Sequence, residues 1–423
     1  MINRKRFYLY IRKVLGGVFI RTIIELFDEC QIKNVIATLH FLPQKVIFVG
    51  FREVMKEKKI NDLKRFFDMR GLKIELEFQF TDRYNYNDII KLFNTILDNN
   101  KNCCFDLTGG KELAIAAMGE ISARRNVPIV QFNVRTGKMV CIRNFDYMDK
   151  EQKSSMTVSE NVILNGGAIA TKKADGLKWN LTKDFRRDIE VMWRINGRDT
   201  GAWNKFSKAV ANIGMETEDG IDLQFKTCIF SLDDRQKKEL LNEDIIDELK
   251  REKLILNYRL KDGYLSFEVK NRQVLRCIIK AGNILELYTY MVATEIAEEQ
   301  GFYDDIQMGV MVDWDGVENG RFSKTKDTTN EIDIFMMRDL VPVFVSCKNG
   351  EVGKEALYEL STVAEKFGGE YARKVLAATF VSRDKLKKDF LIQRAKDMNI
   401  EVIDNIDVLP KQEFKRQMAE KTK

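Results

Sequence analysis

Histidine is almost absent from this chain of 423 residues, which contains only His40, in the helical-looking stretch "NVIATLHFLP". We expect a structural role for it. Enzymes that cleave phosphodiesters with a His–Lys–Asn set, with two histidines or with a His–Asp metal site are therefore excluded. Any phosphodiester chemistry here has to rely on carboxylates, lysine and a metal ion.

Paired cysteines and long apolar runs are also lacking. The seven cysteines are an odd number without a C-x-x-C pair, so we expect no disulfide framework, no structural zinc site and a reducing cytoplasm. No apolar run approaches the roughly 20 residues that cross a bilayer. The basic N-terminus is interrupted by charges and no small-residue cleavage site follows, so we expect neither a signal peptide nor a membrane partner.

Charge of one sign is only mildly in excess. A formal net charge of +6 does not by itself identify a nucleic-acid-binding protein. Lys and Arg outnumber Asp and Glu in residues 371–423, which favours either a solvated basic tail or contact with a phosphate backbone. The candidates for backbone contact are Arg383, Lys387, Lys388 and Arg394.

What the chain does have is an alternation of strand and helix patterns. In residues 1–145, strand candidates alternate with helical patterns such as "YNDIIKLFNTILDNN", which predicts a doubly wound parallel sheet. Residues 146–275 are predicted to be a mixed linker region, and residues 276–423 a second α/β domain. The strand candidates of the first domain are "RFYLYI", "KVIFVG", "KIELEFQF", "NCCFDLT", "PIVQFNV" and "KMVCIRN".

A glycine turn in "FDLTGGKELAIAAM" joins a strand to a helix in the first domain. Gly109 and Gly110 permit close approach of a ligand, the helix N-terminus presents N–H groups, and Lys111 adds a charge. The spacing is neither that of a Walker A loop nor G-x-G-x-x-G. An anion site and an ordinary strand-to-helix turn both remain open.

The stretch "NEIDIFMMRDLVPVFVSCKNG" predicts a β-hairpin that turns near Asp339 and Leu340. Because side chains alternate, Glu331 shares a face with Asp333, which would lie opposite Ser346 or Lys348. Asp333 is then a candidate metal ligand and Lys348 a candidate for orienting water or stabilising negative charge. The backbone carbonyl of Cys347 is a further candidate ligand, since hard cations prefer oxygen. A solvated cross-strand ion pair is the alternative.

Glu286 is the only charge in the apolar run "ILELYTYMVAT". A buried carboxylate needs a partner, which a metal would provide. The alternative is a narrow exposed stripe through Glu286, Tyr290 and Ala293.

Two resemblances follow from these motifs. "DLTGGKELAIAAM" is similar to the D-hydrophobic-T-G-G-T-K signature of CARF domains, the Rossmann-like sensors of type III CRISPR systems, and "NVIATLHFLPQKVIFVGF" resembles their first helix and second strand. The resemblance implies that Thr108, Gly109, Gly110 and Lys111 bind a cyclic oligoadenylate in a homodimer. Lys111 follows the glycines directly here, without the intervening Thr of the signature.

The helix Glu286, the strand Asp333 and the Ser346-Cys347-Lys348 triplet resemble the D…(D/E)-x-K pattern of the PD-(D/E)xK nucleases, and "NEID" with "G-x-x-x-E" resembles the Can/Card-type CARF nuclease effectors. A restriction-endonuclease-like fold at the C-terminus is thereby implied. The departure is Ser346, where the pattern asks for a carboxylate. Glu286 or Glu331, or less directly Glu355, would have to compensate.

The resemblances imply a nuclease that is activated by cyclic oligoadenylate, most readily cyclic tetra-adenylate. It would use Mg²⁺ or Mn²⁺ to cleave single-stranded DNA or RNA, or to nick DNA, without sequence specificity. The catalytic candidates are Asp333, Lys348, Glu286 and Glu331, and the metal candidates Glu286, Asp333 and the Cys347 carbonyl. A sensor with a decayed nuclease domain and a ligand-independent restriction nuclease are the alternatives.

Overall fold

The computed structural model describes residues 20–133, 137–144, 154–170, 179–214, 216–217, 220–316 and 329–423. The chain forms two compact units, Met1–Gly167 (unit 1) and Ala168–Lys423 (unit 2). In the ranges just given, no helix combines the length and the apolar character that crossing a membrane requires. The predicted strand "RFYLYI" lies outside these ranges.

Unit 1 is built on a six-stranded sheet with the order β3-β2-β1-β4-β5-β6. All neighbours are parallel except β5 and β6, which pair antiparallel. The first strand, "TIIEL", was not predicted, although it is rich in β-branched residues and fully buried. The strands are β1 (Thr22–Leu26), β2 (Lys45–Gly50), β3 (Glu75–Phe80), β4 (Cys103–Asp106), β5 (Ile129–Asn133) and β6 (Lys138–Arg143).

Helices alternate with these strands, as the hydrophobic periodicity predicts. The side chain of Asn85 caps the third helix, which buries Ile89, Phe93 and Ile96 on one face. This face packs in one core with Phe105 of β4. The helices are α1 (Ile36–Phe41), α2 (Glu57–Met69), α3 (Tyr86–Asn99), α4 (Glu112–Arg125) and α5 (Val158–Leu164). His40 is buried on α1.

Unit 2 has a six-stranded mixed sheet with the order β17-β16-β15-β14-β13-β7 and a three-stranded sheet with the order β10-β12-β11. A two-stranded ladder pairs β8 with β9. The strands are β7 (Ala168–Ile169), β8 (Glu216–Thr217), β9 (Gly220–Ile221), β10 (Gln224–Cys228), β11 (Ile255–Lys261), β12 (Tyr264–Val269), β13 (Asp305–Asp313), β14 (Thr329–Arg338), β15 (Val341–Lys348), β16 (Arg373–Ala378) and β17 (Ile400–Ile403).

The helices of unit 2 include the long apolar helix that the sequence predicts and the helix that follows the hairpin. They are α6 (Lys183–Arg198), α7 (Thr200–Ile213), α8 (Asp234–Leu240), α9 (Glu243–Arg251), α10 (Arg272–Ile279), α11 (Asn283–Gln300), α12 (Lys354–Gly368), α13 (Lys385–Asp397) and α14 (Lys411–Lys421).

Residues of the predicted linker region share a core with the C-terminal residues. One buried cluster extends from Phe185 of α6 to Met418 of α14. The rings of Trp193, Tyr288 and Phe414 stack in series within it, with centroids 4.6 and 5.8 Å apart. The division into residues 1–145, 146–275 and 276–423 stays a prediction, whereas the packing places residues of the predicted linker region and of the C-terminal region in one shared cluster.

Candidate functional site

The site is built on the hairpin of β14 and β15. Asp339, which has a left-handed φ of 53°, and Leu340 form the turn at the predicted place. Ile334 pairs with Val345, so the next residues along, Asp333 and Ser346, face each other. The hairpin prediction is therefore confirmed, with Asp333 opposite Ser346 rather than Lys348.

The polar contacts of the Asp333 carboxylate with described residues are all made by one of its oxygens, Oδ2. Oδ2 accepts hydrogen bonds from the Cys347 N–H at 2.7 Å and the Ser346 hydroxyl at 3.3 Å. The Lys348 ammonium lies 3.9 Å from the same oxygen. Among the residues described, Oδ1 accepts no hydrogen bond. The carboxylate is thus held in place by β15 while one oxygen stays available to a ligand.

A pocket opens on this face of the hairpin. Asp333, Glu331, Ser346 and Lys348 line it together with Glu359 of α12. Its floor and walls also contain apolar side chains, and the remaining lining residues are Asn330, Ile332, Phe344, Val345, Leu360 and Val363. The structure therefore brings three of the predicted catalytic residues to one pocket.

The fourth, Glu286, is buried on the first turn of α11, with 9% of its surface exposed. Burial raises its pKa to about 7, and the charges of Asp333 and Glu331 add to this rise while Lys280 and Lys348 oppose it. Glu286 therefore lies within electrostatic reach of the hairpin carboxylates, but it does not line the pocket, and its convergence with them at one site stays a prediction. The alternative of an exposed stripe is wrong, because Ala293 is fully buried as well.

A cluster of three asparagines holds the residue after Lys348. The Asn349 amide donates hydrogen bonds to Asn196 at 3.0 Å, to Asn204 at 3.1 Å and to the Ala281 carbonyl at 3.2 Å. Asn196 and Asn204 in turn donate to Asn349 oxygens at 3.2 and 3.0 Å. The end of β15 is therefore fixed to α6, to α7 and to the segment that begins α11.

The donor set of the pocket fits a hard divalent cation. Asp333 and Glu331 offer carboxylate oxygens in the pocket, and such oxygen donors suit Mg²⁺ or Mn²⁺. Glu286, which does not line the pocket, is a buried carboxyl group without a hydrogen bond or ion pair from any described residue. Within the described ranges, no three His, Cys, Asp or Glu side chains already converge as a metal-binding group. The candidate ligands Glu286, Asp333 and the Cys347 carbonyl stay predictions.

The four basic residues predicted to contact nucleic acid, three on α13 and Arg383 just before it, already have partners in the structure. Lys387 lies 2.9 Å from Glu351 and Lys388 lies 2.6 Å from Asp404. Arg394 donates to the Tyr358 hydroxyl, and the Arg383 guanidinium lies 5.1 Å from the centre of the Phe380 ring. Contact of these four residues with nucleic acid stays a prediction and would require the ion pairs to open.

The glycine turn of unit 1 lies at the carboxyl end of β4, where parallel sheets bind ligands. Gly110 has φ +104°, and its N–H donates to Asp28 at 2.9 Å. The Thr108 hydroxyl donates to Asp106 at 2.6 Å and accepts from the Phe132 N–H at 2.9 Å. These groups have partners inside the protein, whereas Lys111 stands at the N-cap of α4. Ligand binding by Thr108, Gly109, Gly110 and Lys111 stays a prediction.

Sequence reasoning missed several members of these sites. Asp28 and Glu359 had no motif around them, and the asparagine cluster joins residues that are distant in sequence. The helical spacing of Ala356, Leu360 and Val363, which are buried on α12, could have indicated which face of this helix packs inward. Glu359 lies beside that face. Residues 371–423, for which a solvated basic tail was one expectation, instead contain β16, α13, β17 and α14, and Phe414 and Met418 of α14 are fully buried.

Comparison with known proteins adds three findings. Residues 273–420, about a third of the chain, match the model of the Card1-like endonuclease domain. The crystal structure of protein VC1899 from Vibrio cholerae has a TM-score of 0.73 at 16% identity, covering 95% of this chain and 97% of that one. The structure of Can2 from Sulfobacillus thermosulfidooxidans in complex with cyclic tetra-adenylate has a TM-score of 0.67 at 14% identity, covering 95% and 99%.

A search of curated proteins finds no match. At these identities the solved structures show the fold alone, and they show it over nearly the whole chain. The predicted fold class, α/β with an N-terminal Rossmann-like domain followed by a restriction-endonuclease-like α/β domain, is confirmed. The predicted resemblance to the CARF nuclease effectors is confirmed as well, through the match of residues 273–420 and the shared fold.

Proposed function

We propose that this protein is a metal-dependent nuclease of type III CRISPR defence that cyclic tetra-adenylate activates. It acts as a homodimer on single-stranded DNA or RNA, or nicks DNA, without sequence specificity. The observation that carries the proposal is the pocket of Asp333, Glu331 and Lys348, with Glu286 close by, inside the segment that resembles the Card1-like endonuclease domain.

In this proposal the chain's own residues bind and orient the scissile phosphate. Asp333, Glu286 and the Cys347 carbonyl hold Mg²⁺ or Mn²⁺, and Glu331 adds a carboxylate at the same pocket. When bound, the cation supplies Lewis acidity toward the phosphate oxygens. The Lys348 ammonium, 3.9 Å from Asp333, stabilises negative charge that develops on the phosphate or orients the attacking water.

The sensor half of the proposal rests on the glycine turn of unit 1. Lys111 would place its charge on an activator phosphate, and Thr108, Gly109 and Gly110 would shape the backbone around it. A ring with two-fold symmetry is matched by a two-fold dimer in which each subunit contributes the same turn. Activation then requires that the activator bind the cleaving arrangement more tightly than the resting one. Arg383, Lys387, Lys388 and Arg394 would follow the nucleic-acid backbone, so binding would weaken with salt.

The test is a cleavage assay on labelled single-stranded DNA and RNA with Mn²⁺, with and without cyclic tetra-adenylate. Asp333→Asn should lower the cleavage rate by about 100-fold or more, because metal-assisted stabilisation amounts to several kcal/mol. Asp339→Asn is the matched control: it removes a carboxylate from the turn of the same hairpin, where Asn also tolerates a left-handed backbone.

Cleavage that depends on both the activator and Asp333 supports the proposal. Cleavage without activator would instead indicate a ligand-independent restriction-type nuclease. Binding of cyclic tetra-adenylate without any cleavage would indicate a sensor that regulates a partner. The neutral Ser346 is the observation that favours this last alternative.

A further inference from the structure

Ser346 leaves the hairpin one negative charge short of the D…(D/E)-x-K pattern. Its hydroxyl donates to Asp333 Oδ2 at 3.3 Å, so it orients that carboxylate and adds no charge of its own. A serine hydroxyl is also a weak ligand for a hard cation compared with a carboxylate. The pocket therefore needs another acidic group if it is to hold a divalent ion as firmly as the full pattern would.

Glu359 is in the position to provide this group. It lies on α12, which follows β15 in the chain, and it lines the same pocket as Asp333, Ser346 and Lys348. Leu360 and Val363 line the pocket as well, so this face of α12 covers the same side of the hairpin. No described residue forms a hydrogen bond or an ion pair with the Glu359 carboxylate.

We propose that Glu359 replaces the missing carboxylate of position 346 and binds the catalytic cation from α12 instead of from β15. The inference rests on the proposed function, because it assigns a further ligand to the same metal-dependent site. A helix residue can take over from a strand residue here because both elements contribute side chains to one pocket.

Glu286 is an independent indication that a cation belongs at this place. It is buried to more than nine-tenths, it lies within electrostatic reach of Asp333 and Glu331, and none of the residues described gives it a hydrogen bond or an ion pair. Ionising a buried carboxyl group without a partner is costly, and a bound cation would supply the counter-charge.

Glu355 offers a matched comparison on the same helix. It lies one turn before Glu359 and is exposed as Glu359 is, but it does not line the pocket, so the structure gives no support to Glu355 as the compensating carboxylate. Its carboxylate lies beside Gly353, at the N-terminus of its own helix, where the helix dipole favours a negative charge. Glu355→Gln and Glu359→Gln therefore make the same chemical change at two neighbouring positions, only one of which faces the pocket.

The experiment measures Mn²⁺ binding by isothermal titration calorimetry and cleavage in parallel, on the full chain. Glu359→Gln should weaken Mn²⁺ binding by about 10-fold or more and reduce cleavage with it. Replacing a residue that only orients a metal ligand already costs about 10- to 100-fold in metal affinity or activity. Glu355→Gln should change both by less than about twofold. Thermal melting confirms that the variants fold.

Ser346→Glu, combined with Glu359→Gln, should restore Mn²⁺ affinity to within about threefold of the original, because the carboxylate then returns to the hairpin. Unchanged Mn²⁺ affinity in Glu359→Gln would overturn the inference while leaving the nuclease proposal intact. Loss of Mn²⁺ binding in a protein that cleaves no nucleic acid would support the inference and defeat the proposed function. A parent protein that binds no Mn²⁺ would defeat both.

Discussion

Glu25 and Asp106 form a pair of carboxyl groups in the core of unit 1, next to the glycine turn. They face each other on the parallel strands β1 and β4, and each is almost fully buried. Glu25 accepts from the Thr38 hydroxyl at 2.8 Å, and its second oxygen has no hydrogen-bond partner among the residues described. Burial raises both pKa values, that of Asp106 to about 7, and the charge of Asp106 raises that of Glu25 further.

This pair should make the stability of unit 1 depend on pH. The unfolded chain releases the Asp106 proton near its ordinary value of 3.8, whereas the folded chain keeps it to about 7. Stability is therefore highest at the acid end of that window and is lost as the pH rises through it, by about 4 kcal/mol at most. We expect the melting temperature to fall between pH 4 and pH 7.

Asp106→Asn is the variant that isolates this effect. The Asn side-chain oxygen can still accept from the Thr108 N–H and hydroxyl, which bond Asp106 Oδ1 in the parent, but it cannot ionise. The variant should melt higher than the parent at pH 8 and show a flatter profile. A profile as steep as that of the parent would show that the pH dependence arises elsewhere.

Gly110 is the residue of the glycine turn that least tolerates a side chain. Its φ is +104°, and a Cβ there would lie 2.5 Å from Leu26 Cβ. Gly110→Ala combines backbone strain with overpacking and should lower the free energy of unfolding by about 3 kcal/mol. Urea unfolding followed by circular dichroism measures the loss.

Gly71→Ala separates the two causes. Gly71 also has a positive φ, +64°, but a Cβ there would meet nothing within 4 Å. Only the backbone strain of about 1 kcal/mol should remain. Equal losses at the two positions would mean that contact with Leu26 is unimportant.

At the scale of single elements, much of the candidate site could be predicted from local patterns. The turn at Asp339 and Leu340, the shared face of Glu331 and Asp333, and the buried Glu286 all follow from alternation, turn chemistry and an apolar run with one charge. The contribution of Glu359 could not be predicted in this way. It depends on which face of α12 covers the hairpin, and that is decided by packing between elements.

The asparagine cluster does not line the pocket, but it fixes the end of β15, which carries Lys348, to α6 and α7. Asn349→Ala removes its bonds to α6 and α7 and leaves the fully buried Asn196 amide without them. We expect a loss of about 2–3 kcal/mol in unfolding free energy. Cleavage should also decrease, because Lys348 precedes Asn349 directly.

Asn99→Ala is the control for this change, since Asn99 is exposed and bonds only within its own helix. It should alter neither stability nor cleavage measurably. A loss of stability in Asn349→Ala with unchanged cleavage would mean that the cluster supports the fold but does not position Lys348.

At the scale of the whole molecule, unit 2 depends on residues from both of its ends. The ring of Phe414 is fully buried and stacks on Tyr288, while Lys415 lies 2.7 Å from both Glu295 and Glu299. A solvated tail was one expectation for residues 371–423 because Lys and Arg outnumber Asp and Glu there. A count of charges takes no account of Phe414 and Met418, which recur at helical spacing and are buried.

Phe414→Ala should therefore lower the unfolding free energy by about 3–5 kcal/mol, as for large-to-small changes in a packed core. Val408→Ala, at a side chain that is 73% exposed, should stay within about 0.5 kcal/mol of the parent. Both values come from urea unfolding followed by tryptophan fluorescence, since Trp193 belongs to the same stack. A small effect of Phe414→Ala would contradict the packing of α14.

The position of α14 also has a consequence for how the protein is made. Chains are synthesised from the N-terminus, and unit 1 can close its own core before the rest is made. Unit 2 cannot close its core before α14 has been made, because Phe414 and Met418 of α14 complete a core that begins at Phe185. A chain that is interrupted after the hairpin carries Asp333 and Lys348 without the packing that holds them. The hairpin that carries the candidate site is therefore fully supported only after α14 has been made, whereas the core of unit 1 does not depend on α14.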